Sequence, residues 1–175
     1  MTLNTLQQQH SQHGVLMSVD DQGILIIGEA GVGKSSFALE LLYQGYQLIA
    51  DDVVDLHIID DQLYGRCPPL LENLLHSREL GLISIPTVFD HSAWQAQHKI
   101  DYIVKLQTTF STDHSLIKKT PTFSLLGHAL PLLTLTVQSP ATLTHRLLCW
   151  LSIQSSQAST GTEFKQRQQL VMASS

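Results

Sequence analysis

The sequence predicts an α/β fold in which helices flank a central mixed β-sheet. Three observations carry this. An uninterrupted apolar segment, Ile24-Leu25-Ile26-Ile27, runs directly into Gly28-Glu29-Ala30-Gly31-Val32-Gly33-Lys34-Ser35, and Phe37, Ala38, Leu41 and Leu42 then recur at helical spacing. A β-branched run without polar interruption suits a strand buried on both faces. Strand, glycine-rich turn and helix follow one another in the order that such a core requires. The chain has 175 residues, and about 100 to 200 is usual for one domain.

The elements follow in order. Residues 15–19 and 23–27 are two strands across the turn Asp20-Asp21-Gln22. The helix covers residues 34–44 and stops at Gly45. Residues 46–50 form a strand ending at Asp51-Asp52, and residues 53–59 and 63–66 form a hairpin around Asp60-Asp61-Gln62. Pro68-Pro69 breaks the chain before residues 70–75, and residues 80–85 are a strand stopped by Pro86. Residues 100–106 alternate like a half-buried strand. Residues 107–122 are polar, with Lys118 and Lys119 adjacent, and read as a mobile stretch. Residues 132–137 form a further strand, and Ser139-Pro140 opens a helix over 141–153. The expected organisation is a flexible N-terminus over 1–12, one domain over 13–153, and a tail over 154–175 that is either disordered or a short docked helix.

Composition narrows the function. Apolar runs such as residues 24–27 are far shorter than the ~18 residues of a membrane span. The first twelve residues are polar and unlike a secretory signal, so a cytoplasmic location is expected. Two distant cysteines, Cys67 and Cys149, give no metal or redox spacing. Fifteen acidic against ten basic side chains give a net charge of −5, and the scattered lysines and arginines disfavour a nucleic-acid binder.

Gly28 to Ser35 matches G-x-x-x-x-G-K-[ST], the phosphate loop, at every fixed position. Glycines at 28, 31 and 33 allow backbone angles that point successive N–H groups at a phosphate. Lys34 adds a full positive charge near the β and γ phosphates, and the helix N-terminus adds about half a charge. The Ser35 hydroxyl is placed to bind Mg²⁺. The expected nucleotide site is Gly28, Glu29, Ala30, Gly31, Val32, Gly33, Lys34, Ser35 and Ser36, with a nucleoside triphosphate and Mg²⁺ as ligands.

Phosphoryl transfer also needs a carboxylate for the metal and a group that orients or deprotonates the nucleophile. Asp51-Asp52 is the candidate, because ligands gather beyond the carboxyl ends of strands in open α/β sheets. Adjacent residues leaving a strand point in different directions, so one can face the metal and the other the nucleophile; two solvated turn acids are the plainer alternative. Asp20-Asp21 and Asp60-Asp61 sit in hairpin turns and are left out of the site. His13 precedes the first strand, and by pattern alone a lone histidine is more often an ordinary surface or packing residue than a functional one.

These residues resemble a known family, the bacterial HPr kinase/phosphorylases, in their C-terminal catalytic domain. The likeness rests on His13-Gly14-Val15-Leu16, on residues 23–35, and on Ala38-Leu39-Glu40-Leu41 followed by Gly45-Tyr46-Gln47-Leu48-Ile49-Ala50-Asp51-Asp52. The close Ala-Asp-Asp is shared with few phosphate-loop proteins, phosphoenolpyruvate carboxykinase among them. The resemblance implies a phosphate-loop kinase core and an ATP-dependent serine kinase acting on HPr or a similar phosphocarrier protein. It implies Asp52 as acid/base, Asp51 and Ser35 at the metal, and His13 and Lys34 as active-site residues. It also implies a hexamer, and the short length matches members without the N-terminal domain.

Two departures stand out. In His76-Ser77-Arg78-Glu79-Leu80-Gly81-Leu82-Ile83, which resembles the family's signature run, a metal-associated glutamate has become His76, with Glu72 or Glu79 as shifted substitutes. Ser139-Pro140-Ala141-Thr142 occupies the place of a turn whose arginine serves the reverse, phosphorylase reaction. Arg146 is the nearest replacement, so that reaction is expected to be weak or lost. A kinase for another substrate, and a nucleotide-binding regulatory module without phosphoryl transfer, remain as alternatives.

Overall fold

The computed structural model describes residues 10–113, 118–156 and 160–173. In chain order the elements are β1 (His10–His13), β2 (Val15–Val19), β3 (Gln22–Gly28), α1 (Lys34–Tyr43), β4 (Gln47–Ala50), β5 (Val53–Ile59), β6 (Gln62–Arg66), β7 (Leu74–Ser77), β8 (Gly81–Ser84), α2 (Ile85–Val88), β9 (Gln97–Lys99), β10 (Tyr102–Gln107), β11 (Thr122–Leu125), β12 (His128–Thr136), α3 (Leu143–Ser155) and α4 (Thr160–Ala173). Three sheets result: a six-stranded one in the order β11-β12-β10-β3-β2-β4, a four-stranded one in the order β1-β5-β6-β9, and the β7–β8 hairpin.

The six-stranded sheet is mixed. β10 is parallel to both β3 and β12, while β2 is antiparallel to both β3 and β4. β3, β4, β10 and β12 therefore end at one edge, where the glycine-rich turn leaves β3 and Asp51-Asp52 leaves β4.

β3 is buried on both faces, as its composition requires. Ile24 and Ile26 pack with Phe37 and Leu41 of α1 and Leu147 and Leu151 of α3. Leu25 and Ile27 pack instead with Val54, Leu56 and Leu63 of the four-stranded sheet. Helices thus cover one face of the central sheet and a second sheet covers the other. In β5 the apolar Val54 and Leu56 alternate with the polar Asp55 and His57, which puts the apolar side chains on one face, while Asp55 is buried on the other.

Turn chemistry accounts for the hairpins. Asp20, Asp21, Asp60 and Asp61 all have positive φ, the conformation of two-residue turns that match strand twist, which aspartate tolerates. Leu126-Gly127 makes the same kind of turn and joins β11 to a β12 that starts at His128, four residues earlier than the apolar run suggests. β8 ends at Ser84, and Pro86 lies in the first turn of α2. α3 begins at Leu143, capped by the Thr142 side chain. Residues 1–9 of the N-terminus expected to be flexible lie outside the described residues, and residues 10–12 belong to β1. Part of the tail forms α4, whose Leu170, Val171 and Met172 are exposed. Residues 114–117 of the polar stretch also lie outside the described residues. Among the described residues no helix is long and apolar enough to cross a membrane.

Candidate functional site

The turn between β3 and α1 has few internal contacts. Val32 N–H donates to the Glu29 carbonyl at 3.2 Å, and Gly33 opens α1 at φ 109° with no side chain capping its amides. The first amides of a helix have no carbonyl a turn back. The start of α1 therefore offers donors and the positive end of the helix dipole to an anion. Lys34 Nζ folds back over the turn and donates to the carbonyls of Gly28 and Glu29 at 2.9 and 3.0 Å.

Ser35, in the first turn of α1, donates from Oγ to Asp51 Oδ1 at 2.8 Å. The second Asp51 oxygen accepts the His76 backbone N–H at 2.7 Å. Asp51 is only 4% exposed. Burial pushes its carboxyl above the usual carboxylate range, against the opposing pull of hydrogen bonds from the His76 N–H and the Ser35 hydroxyl.

Asp52 is built differently. It has φ 68°, and Val53 N–H donates across it to the Asp51 carbonyl at 2.9 Å, which makes a tight three-residue turn of a strained kind. The Asp52 carbonyl accepts Gly14 N–H at 3.0 Å. Its side chain is 76% exposed and lies 4.0 Å from His13 Nδ1. So open a pair adds little stability; what the turn achieves is to present a carboxylate to solvent beside a buried one. Gly14 makes this possible, since a Cβ there would stand 2.6 Å from the Ile26 carbonyl oxygen.

Ser35, Asp51, Asp52 and His76 line a cavity of about 190 Å³ with Leu71, Leu74 and Leu82. A larger concavity of about 720 Å³ lies at the opposite end of the sheet, against Asp20-Asp21, and includes none of the expected site residues. The structure thus brings Ser35, Asp51 and Asp52 together, sets His13 at their edge, and holds Lys34 on the adjoining turn with residues 28–33. Ser36 lies in the first turn of α1.

Gly14, the His76 backbone and Arg78, which lies against Gly31, have no role assigned from sequence; the available signals are the Gly directly after His13 and the resemblance of residues 76–83 to the family's signature run. Arg146 is held elsewhere: its guanidinium donates to the carbonyls of Ala141, Thr142 and Thr136, tying the start of α3 to the end of β12. Glu72 and Glu79 are exposed, and Glu72 acts on Cys67, whose thiol is pushed up to about 12 by burial first and by the charges of Glu72, Asp55 and Asp51.

The family model described as the HPr Serine kinase C-terminal domain matches residues 4–168. An HPr kinase/phosphorylase of Nitrosomonas europaea is 42% identical over 116 residues, which make up 66% of this chain and 36% of that protein. One from Cupriavidus necator is 46% identical over 97 residues, or 55% of this chain and 30% of that protein. The chain spans about a third of the length of these curated relatives. The solved structure of the Hpr(Ser) kinase/phosphatase from Coxiella burnetii superposes with a TM-score of 0.76 at 28% identity, covering 83% of this chain and 98% of that one.

Proposed function

This chain belongs to the HPr serine kinase C-terminal domain family, and from that membership we propose that it is an ATP-dependent serine kinase acting on HPr or a similar small phosphocarrier protein. The observation that carries the proposal is the 2.8 Å hydrogen bond from Ser35 to Asp51. It joins the phosphate-loop turn to the end of β4 and leaves the exposed Asp52 as the next carboxylate along.

In the proposed reaction the turn amides and Lys34 hold the ATP phosphates. Asp52 accepts the proton of the substrate serine hydroxyl, a weak nucleophile near neutral pH. The serine oxygen bonds to the γ-phosphorus as the bond to the β-phosphate oxygen breaks, and ADP leaves. His13, beside Asp52, helps to orient that carboxylate.

Mg²⁺ fits the donors present. A serine hydroxyl and a carboxylate are hard oxygen ligands, and Mg²⁺ usually takes only one or two protein carboxylates besides phosphate and water. Among the described residues no three His, Cys, Asp or Glu side chains converge as an all-protein cage would need. Ser35 and Asp51 would hold the ion, which supplies charge neutralisation at the β and γ oxygens. Asp51 is buried and accepts hydrogen bonds at both oxygens, so holding the ion would require it to give up the one from Ser35.

The reverse phosphorolysis is proposed to be weak. No arginine stands in the turn before α3, and Arg146 serves three backbone carbonyls. A cytoplasmic location and assembly into a hexamer belong to the same proposal by family resemblance. His76 and the missing turn arginine favour, as the second reading, a nucleotide-binding regulatory module without transfer.

The test is to incubate the chain with labelled ATP, Mg²⁺ and HPr from the same genome. Acid-stable, alkali-labile phosphate should appear on serine, and Asp52→Asn should lower kcat by about 100-fold or more with nucleotide affinity kept. Unlabelled HPr despite tight ATP binding would favour the regulatory reading, and full activity in Asp52→Asn would remove the proposed base.

A further inference from the structure

We propose that Arg78 is the second cation of the phosphate site, and that its guanidinium takes the oxygens of the terminal phosphoryl group of a bound nucleoside triphosphate. This rests on the reading of residues 28–35 as phosphate-binding.

Three observations lead there. Arg78 sits in the turn of the β7–β8 hairpin, a two-stranded unit outside both larger sheets. Its guanidinium lies on the tip of the glycine-rich turn: a Cβ built on Gly31 would stand 2.6 Å from Nη2 and 3.5 Å from Cζ. Gly31 also has φ 81°, a backbone conformation that disfavours a side chain, and the lack of a Cβ leaves the guanidinium room to lie against the turn.

Arg78 is exposed and takes part in no ion pair or hydrogen bond among the described residues. Holding a long side chain across a turn costs rotamer entropy that no acceptor offsets. A planar fork of donors beside a row of backbone amides suits phosphate oxygens, which it can grip in pairs. Arg146 and Lys34, by contrast, already donate to carbonyls.

The hairpin also stands on the side that would receive the transferred group. Leu74, His76 and Leu82 line the cavity with Asp51 and Asp52. The His76 N–H bond to Asp51 at 2.7 Å fastens the hairpin to the carboxylate that meets Ser35. The turn amides face the inner phosphates and Arg78 reaches the outermost one. A triphosphate brings roughly four negative charges beside two aspartates, against one lysine, the two charges of the accompanying Mg²⁺ and about half a charge from the helix, which leaves the site still negative. A further cation is what the balance lacks.

The experiment measures binding of ADP and of a non-hydrolysable ATP analogue, each with Mg²⁺, by calorimetry to the wild type, Arg78→Ala, Arg78→Lys and Lys34→Ala. Arg78→Ala should weaken the triphosphate by about tenfold or more and ADP by less than about twofold, because charged hydrogen bonds to one phosphate are lost. Arg78→Lys should recover part of the difference. Equal losses for both nucleotides would mean that Arg78 only braces the hairpin and would overturn the proposal; so would no loss. If Lys34→Ala leaves both affinities unchanged, the phosphate-binding reading itself falls. Severe loss in Lys34→Ala with none in Arg78→Ala sinks the arginine alone. Unchanged circular dichroism of Arg78→Lys guards against misfolding as the cause.

Discussion

Adding one methyl group at Gly14 tests the link between the first corner of the chain and Asp52. The new Cβ would lie 2.6 Å from the Ile26 carbonyl oxygen, about 0.8 Å inside the 3.4 Å at which ordinary contact begins. β3 is paired on both sides, so the β1–β2 corner must move instead. That movement pulls Gly14 N–H from the Asp52 carbonyl, a 3.0 Å bond. Overpacking of this kind costs about 1–3 kcal/mol and a lost hydrogen bond about 1 kcal/mol. Gly14→Ala should therefore lose roughly 2–4 kcal/mol in urea unfolding. Displacing Asp52 by most of an ångström should lower kcat on the order of 100-fold, with nucleotide affinity changed by less than about threefold because the turn before α1 keeps its contacts. A variant with the wild-type urea midpoint and wild-type kcat would refute both the contact and the coupling.

Two further expectations concern buried groups. Cys67, its thiol pushed up to about 12, should resist a thiol reagent at pH 8, where only about one molecule in ten thousand carries the thiolate. Exposed Cys149 should react at once, so a native sample shows one fast thiol and a denatured one shows two; two fast thiols in the native protein would contradict the burial. Asp51 has a folded-state pKa above its ordinary 3.8, so between those values the folded state holds the extra proton and stability falls as pH rises. Wild type should thus lose stability relative to Asp51→Asn in urea titrations as pH rises above the ordinary 3.8, and a gain would reverse the assigned cause.

The parts of the molecule visible in advance are those whose signals are local. Ile24 to Ile27, the glycine turn and the apolar face of α1 lie within twenty residues, and each element reinforces the next. Asp51-Asp52 was legible because a strand ended there, although the sequence could not tell which aspartate is buried. That distinction comes from Ser35 and the His76 N–H closing on Asp51, while Gly14 bonds the Asp52 backbone across the fold. The second sheet was hidden for a related reason. Alternation in β5 and β6 shows that one face is buried but not against what, and β9 has only three residues, two of them partly exposed. Arg78 was visible as a letter and invisible as a neighbour: nothing in residues 76–83 says that their turn folds onto Gly31, 47 positions away.

Gly33 stands at the N-terminal boundary of α1. Many helices begin on a serine, threonine, aspartate or asparagine whose oxygen binds the opening amides, and a glycine in that place forgoes only a few tenths of a kcal/mol. Gly33 provides no such oxygen. A side chain that sealed the start of α1 would occupy the very amides a guest anion needs, so the fold leaves them without a side-chain cap until something negatively charged arrives. Ligand-free protein should then be the softer form, with slower amide exchange in α1 as the signature of loading.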